Sequence, residues 1–187
     1  MAYITVAQAR ARSRIQWPNS RIAESEIRKS ASTSISTIFD VFLSHSFEDA
    51  DVIAGVKGFI EDQGLRVYVD WIEDPQADRA HVTAATADML RQRMDYCQSL
   101  LYASSDAATR SKWMSWELGY FDGKKPGRVG IVPIVHWDGA PFHGQEYLGL
   151  YPHVELLNFN EIGKRLGQNI NGYQGLSLKN AVQESFR

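Results

Sequence analysis

The sequence predicts an α/β fold: a flavodoxin-like, doubly wound parallel sheet of strand order 2-1-3-4-5 with a short helical N-terminal extension. Three observations predict it. Short β-prone apolar runs recur at 38–43, 66–70, 99–103 and 129–135. Between them lie stretches with helical periodicity, at 48–63, 83–96 and 111–123. Strands alternating with helices imply βαβ units, and right-handed crossovers turn those units into an open sheet with helices on both faces.

Each element has its local reason. Thr5-Val6-Ala7-Gln8 has the form of a capping box, with a short Ala/Arg-rich helix to follow. Pro18-Asn19-Ser20 breaks that helix, a second short helix fits 21–29, and the serine-rich 30–34 reads as a linker. Residues 1–37 are therefore expected to form a basic extension, and 38–187 the domain proper, with its motifs between 38 and 160. Ile38-Phe39-Asp40-Val41-Phe42-Leu43 is apolar almost throughout, as in a strand covered on both faces. The following helix carries Val52, Ile53, Val56, Phe59 and Ile60 on one side and closes at Gly64. Arg66 to Asp70 is the second strand, and the polar stretch from Trp71 to His81, interrupted by Pro75, is a long loop. A helix from Thr83, the third strand, an aromatic helix from Ser111 and the fourth strand complete the clear part. Val154 to Leu157 is the candidate fifth strand and 176–186 a closing helix.

The composition sets outer limits. A chain of 187 residues with 44% hydrophobic and 22% charged residues is that of a globular domain plus an extension. No apolar run approaches the roughly 20 residues of a membrane helix, and the N-terminus has no basic stretch before a long apolar core, so no secretory signal is expected. Cys97 is the single cysteine, which excludes an internal disulfide and fits a reducing, cytoplasmic setting. The net charge of −2 hides an asymmetry: residues 1–37 hold six basic against two acidic side chains, +4, so the remainder sums to −6. The body has no basic stripe with interleaved aromatics, and nucleic acid is not an expected partner.

In a doubly wound sheet, ligands bind beyond the carboxyl ends of the strands. That edge collects Ser44, His45 and Ser46, then Asp70 and Trp71, then Ser104 and Ser105, followed directly by the aromatic helix. Several kinds of site are excluded there. No G-x-G-x-x-G follows a strand, no P-loop spacing is present, and there is no G-x-S-x-G. The acid pair of a phospho-receiver is replaced by Ser44-His45. The five histidines are scattered without the i,i+4 pairing of a zinc site, and no metal is expected. Cys97 precedes a strand in apolar surroundings, as a small core residue does.

The aromatic helix is the most informative stretch. Ser111 suits its N-cap and Gly123-Lys124-Lys125 its end. Trp113 and Glu117, four residues apart, share a face. A carboxylate walled by indole rings is desolvated, which makes it a candidate acid, base or charge stabiliser. The alternative is that Trp113, Trp116 and Tyr120 pack the core while Glu117 points to water.

Taken together, these motifs resemble a known family. Phe39-Asp40-Val41-Phe42-Leu43-Ser44-His45-Ser46 looks like the opening strand of a TIR (Toll/interleukin-1 receptor) domain. Tyr68-Val69-Asp70 resembles the second strand, and 71–81 the BB loop. Ser111-Lys112-Trp113 with Glu117 is similar to the αC motif of TIR domains that hydrolyse NAD, in particular bacterial TIR proteins of anti-phage defence. The resemblance implies an NAD+ glycohydrolase or cyclase that cleaves the nicotinamide–ribose bond, giving nicotinamide plus ADP-ribose or a cyclic isomer. It carries Glu117 over as the catalytic residue, and Ser44, His45, Ser46, Asp70, Trp71 and Trp113 as substrate-binding positions. NAD+ would be substrate, with no further cofactor. Self-association through the BB loop and αC face, and an effector that senses the nucleotide product, are the implied partners. Two features depart from the family. His45 and Ser46 stand where active relatives often carry arginine, and 73–79 lacks the usual BB-loop glycine. A non-catalytic TIR interaction module and a nucleoside deoxyribosyltransferase-like enzyme are the alternative readings.

Overall fold

The computed structural model describes residues 3–16, 34–73 and 83–154. The expected second short helix at 21–29, most of the linker, the loop 74–82, residues 155–157 and the closing helix at 176–186 lie outside the described residues.

The capping box forms as the sequence predicts. The Thr5 amide donates to Gln8 Oε1 at 2.8 Å and the Gln8 amide donates back to Thr5 Oγ1 at 3.2 Å. This launches α1 (Val6–Gln16) directly out of strand β1 (Ile4–Thr5). Then come β2 (Phe39–Ser44), a 3-10 turn at Phe47–Asp49, α2 (Ala50–Glu61), β3 (Val67–Tyr68) and the short α3 (Asp70–Glu73). Helix α4 (Ala84–Asp95), β4 (Cys97–Ser104), α5 (Lys112–Lys124) and β5 (Val129–Val135) complete the sheet and its layers. Caps mark the boundaries: Thr83 accepts from the Thr86 amide at 3.1 Å, and Ser111 from the Met114 amide at 3.4 Å. Gly64, at φ 81°, ends the α2 region in the left-handed conformation that glycine adopts without a Cβ clash.

All strands are parallel, in the order β1-β5-β4-β2-β3. The four strands from β2 onward therefore keep the predicted 2-1-3-4 arrangement. The edge beyond β5 differs, because it is shared by two segments. Ile4 and Thr5 pair with Ile134 and Val135, while His153 forms a single parallel bridge to Ile131. Val154 thus lies beside β5 where the fifth strand was expected, but the N-terminal segment occupies the rest of that edge.

Residues 3–16 are accordingly not a detached arm. Ile4 and Ala9 are buried in the core layer formed by α1, α2 and one face of the sheet, together with Val41, Leu43, Ile53 and Val132. The physical reason is close approach: a Cβ built on Gly55 of α2 would stand 1.8 Å from the Ala9 carbonyl oxygen, so the two helices touch backbone to backbone. Arg10 pairs with Asp51 at 2.6 Å and Arg12 with Asp62 at 2.7 Å, which accounts for part of the excess positive charge of the N-terminal region. The second layer, α4 and α5, covers the opposite face through Phe42, Tyr68, Leu90, Leu100, Met114 and Phe121. Cys97 opens β4, fully buried, and burial pushes its thiol up to about 12, which suits a packing role.

The shared edge carries a titratable contact. Tyr3 Oη lies 3.0 Å from His153 Nδ1, and Phe142 packs edge-on to the same ring. Burial lowers the His153 pKa below the ordinary 6.5. The unfolded chain therefore protonates at a higher pH than the folded one, and the contribution of His153 is complete above about 6.5 and lost as pH falls through the lowered folded value. Thermal melting from pH 8 to pH 5 should show Tm declining on the acid side, and His153→Phe, which keeps the ring contact, should flatten that slope. An unchanged slope in the variant would assign the acid sensitivity elsewhere.

Candidate functional site

Alternation along β2 decides which side chains can meet. Leu43 faces the α1/α2 layer, so Ser44 turns to the α4/α5 layer, where α5 presents Glu117. Ser44 Oγ donates to Glu117 Oε2 at 2.6 Å, the short length of a hydroxyl bound to a carboxylate. Both residues are 0% exposed. The reading in which Glu117 points to water is thereby set aside. Holding a carboxylate this deep costs stability unless hydrogen bonds compensate, and residues kept at such a cost concentrate at functional sites.

His45 and Asp70 form a second buried pair. His45 Nδ1 donates to the Leu43 carbonyl at 2.8 Å, and Nε2 lies 3.3 Å from Asp70 Oδ1. These contacts join the end of β2 to the start of α3. Asp70 was expected to end the second strand; it begins α3 instead, because β3 is only two residues long. Ser46 is buried and its carbonyl accepts from the Asp49 amide at 3.2 Å, closing the 3-10 turn after β2.

The tryptophans separate. Trp113 is half-buried against the α4/α5 layer and packs edge-on to Trp116, with centroids 5.4 Å apart. Trp116 in turn stacks on Tyr120, and Arg91 of α4 lies over the Trp116 ring. Trp71 packs against the α1/α2 layer, on the other side of the sheet, and its buried Nε1 has no hydrogen-bond partner among the described residues. The structure thus brings Ser44 to Glu117 and His45 to Asp70, with Trp113 in the layer of Glu117, and does not bring Trp71 to that layer.

Sequence reasoning missed a polar group beside this site. Tyr102, the register partner of Ser44 on β4, is fully buried. Its phenol donates to Gln145 Oε1 at 3.3 Å, Tyr147 donates to the same oxygen, and the Tyr147 and Ser115 hydroxyls are 2.9 Å apart. Burial first, then the Tyr147 hydroxyl, then the charge of Glu117 raise the Tyr102 pKa far above that of a free phenol. The strand alternation that places Ser44 also places Tyr102. Gln145 and Tyr147 follow β5 in a stretch without periodicity and left no such signal.

Comparison with known proteins adds to this geometry. No protein-family model matches the chain. It is 55% identical over 119 residues to a Bacillus cereus protein named as the probable 3′ cyclic ADP-D-ribose synthase ThsB′, a match that covers 63% of this chain and 61% of that one. A Cytobacillus dafuensis protein named, provisionally, as the cyclic ADP-D-ribose synthase TIR2 is 29% identical over 84 residues, covering 44% of this chain and 22% of its own length. Among solved structures, the TIR domain of the Toll-related receptor TRR-2 from Hydra magnipapillata aligns with 72% of this chain and 99% of its own, at a TM-score of 0.48 and 14% identity. The match to the first curated relative spans about three fifths of that protein's length, and the match to the second about a fifth. Among the described residues no helix is long and apolar enough to cross a membrane.

Proposed function

We propose that this chain is a TIR domain that cleaves the nicotinamide–ribose bond of NAD+, releasing nicotinamide together with a cyclic isomer of ADP-ribose or linear ADP-ribose, in anti-phage defence. The observation that carries the reading is the buried Ser44–Glu117 pair at the carboxyl edge of the sheet, in a chain whose homologues are named as cyclic ADP-ribose synthases. Departure of nicotinamide leaves positive charge spread over the ribose C1′–O bond, and a fixed carboxylate beside it lowers the energy of that state. Nicotinamide leaves as a neutral molecule with the bonding electron pair, so no acid is needed at the leaving group. One glutamate therefore suffices. The Ser44 hydroxyl holds the carboxylate in one rotamer and supplies a donor to it.

His45, Ser46 and Asp70 shape the floor of the cleft in this reading, with the His45–Asp70 pair setting where the loop after β3 departs. Trp113 walls the ribose side. Trp71, packed against the α1/α2 layer on the other side of the sheet, takes no part at Glu117 in this reading. Glu117 is sealed from solvent in the single chain, which accords with an activity that awaits assembly of several copies. NAD+ is the substrate in this reading, and the effector of the pathway is a protein that senses the product. Residues 3–16 belong to the catalytic unit in this assignment, rather than to a separate extension.

Ser44→Ala tests the pair. Losing a hydrogen bond to a charged group costs about 1.5–3 kcal/mol, so kcat for nicotinamide release should fall roughly tenfold or more, with KM for NAD+ little changed. Equal kcat in the variant would mean that Ser44 does not hold the reacting carboxylate.

A further inference from the structure

The group formed by Tyr102, Gln145, Tyr147 and Ser115 has no part in the scheme above, yet it stands against the Glu117 site on the β5 side. The segment that carries it is fastened at both ends of its chemistry. Gln145 Oε1 accepts from two phenols, one on β4 and one on the segment itself, and Tyr147 reaches Ser115 on α5. The next residue, Leu148, is buried in the same apolar cluster as Met114 and Phe121. Ser44, which binds Glu117, and Tyr102, which binds Gln145, sit side by side across β2 and β4. The segment from Gln145 to Leu148 is thus a wall along the β5 side of the site, with Leu148 buried, Gln145 and Tyr147 half-buried, and Glu146 and Ser115 exposed on its outer side.

We propose that this wall, through Tyr147 and Gln145, controls the fate of the ribosyl cation at Glu117 by keeping water out, and so favours ring closure over hydrolysis. The inference rests on the reading of Glu117 as the residue at which NAD+ is cleaved. In both outcomes the C1′–N bond breaks with its electron pair leaving on nicotinamide. A hydroxyl oxygen of the same dinucleotide then forms the new bond to C1′, giving the cyclic product, or a water oxygen does, giving linear ADP-ribose. The attacking hydroxyl or water loses its proton to the Glu117 carboxylate, which passes it to solvent, so each route releases one proton per turnover. The two routes differ by one water. A site that excludes water removes the competing nucleophile while leaving the intramolecular one at high effective concentration.

The test is the ratio of cyclic to linear product per nicotinamide released, for the wild type, Tyr147→Phe and Ser115→Ala. Tyr147→Phe keeps the ring and removes both hydrogen bonds of its hydroxyl. With one hydrogen bond worth about 0.5–1.5 kcal/mol, the linear share should rise roughly fivefold. Ser115→Ala should move the ratio the same way by less. Thermal melting confirms the fold of each variant, and Ser115→Ala, at an exposed position, carries the test if Tyr147→Phe does not fold. Nicotinamide release with an unchanged ratio in the folded variants overturns the proposal, as does a wild type that makes only linear product. Absence of nicotinamide release from every protein would instead overturn the underlying assignment of NAD+ cleavage, and the proposal with it.

Discussion

Glu117→Gln should lower nicotinamide release by a factor on the order of 10²–10³, the range seen when one preorganised electrostatic stabiliser is removed from an active site. The amide keeps the shape of the side chain and a carbonyl oxygen that can still accept from Ser44, so the substitution separates charge from packing. What it removes is the negative charge needed beside the ribosyl cation. Stability should move the other way. A carboxylate with no solvent exposure is held at a cost in desolvation, and its neutral isostere should melt at the same temperature or higher, the usual exchange between activity and stability at a functional site. Lost activity with retained or raised Tm is the expected pair of results. Lost activity with a lowered Tm would assign Glu117 a structural role.

Gly55→Val should be among the most damaging substitutions outside the site. The first atom added at position 55 would meet the Ala9 backbone at 1.8 Å, and a helix backbone cannot yield as a flexible side-chain tip can. Either α1 moves away, taking Ile4 and Ala9 out of the core, or α2 shifts against β2, whose carboxyl end holds Ser44. The expected loss is about 3 kcal/mol, read as a lowered denaturation midpoint, with activity falling as β1 leaves the sheet edge. Gly119→Ala is the control: nothing lies within 4 Å of a Cβ there, and replacing an exposed helical glycine should stabilise by up to about 1 kcal/mol. Equal behaviour of the two variants would mean that the α1–α2 contact does not hold the domain together.

Most of the architecture was legible because its determinants are local. The apolar runs at β2, β4 and β5 and the caps at Thr5, Thr83 and Ser111 each follow from a few adjacent residues, and the parallel order follows from the crossovers. The site was legible to the extent that it depends on strand alternation and helical spacing, which is why Glu117 and Ser44 could be named before they were seen to touch. The remainder depends on contacts between distant segments. That Ile4-Thr5 would pair with the end of β5 rests on the Gly55–Ala9 approach, which no property of residues 1–16 announces. Trp71 is adjacent in sequence to Asp70, yet the brief β3 and the turn into α3 send it to the opposite layer. Gln145 and Tyr147 become part of the site only because Tyr102 and Ser115 are there to receive them.

One measurement bears most directly on the account: incubation of the concentrated wild-type protein with NAD+, with and without a crowding agent to promote assembly, and resolution of the products by chromatography and mass spectrometry. The account predicts free nicotinamide in equal amount to the sum of cyclic and linear ADP-ribose, with the cyclic form in excess. Intact NAD+ after incubation under every assembly condition, with the protein folded, would contradict it.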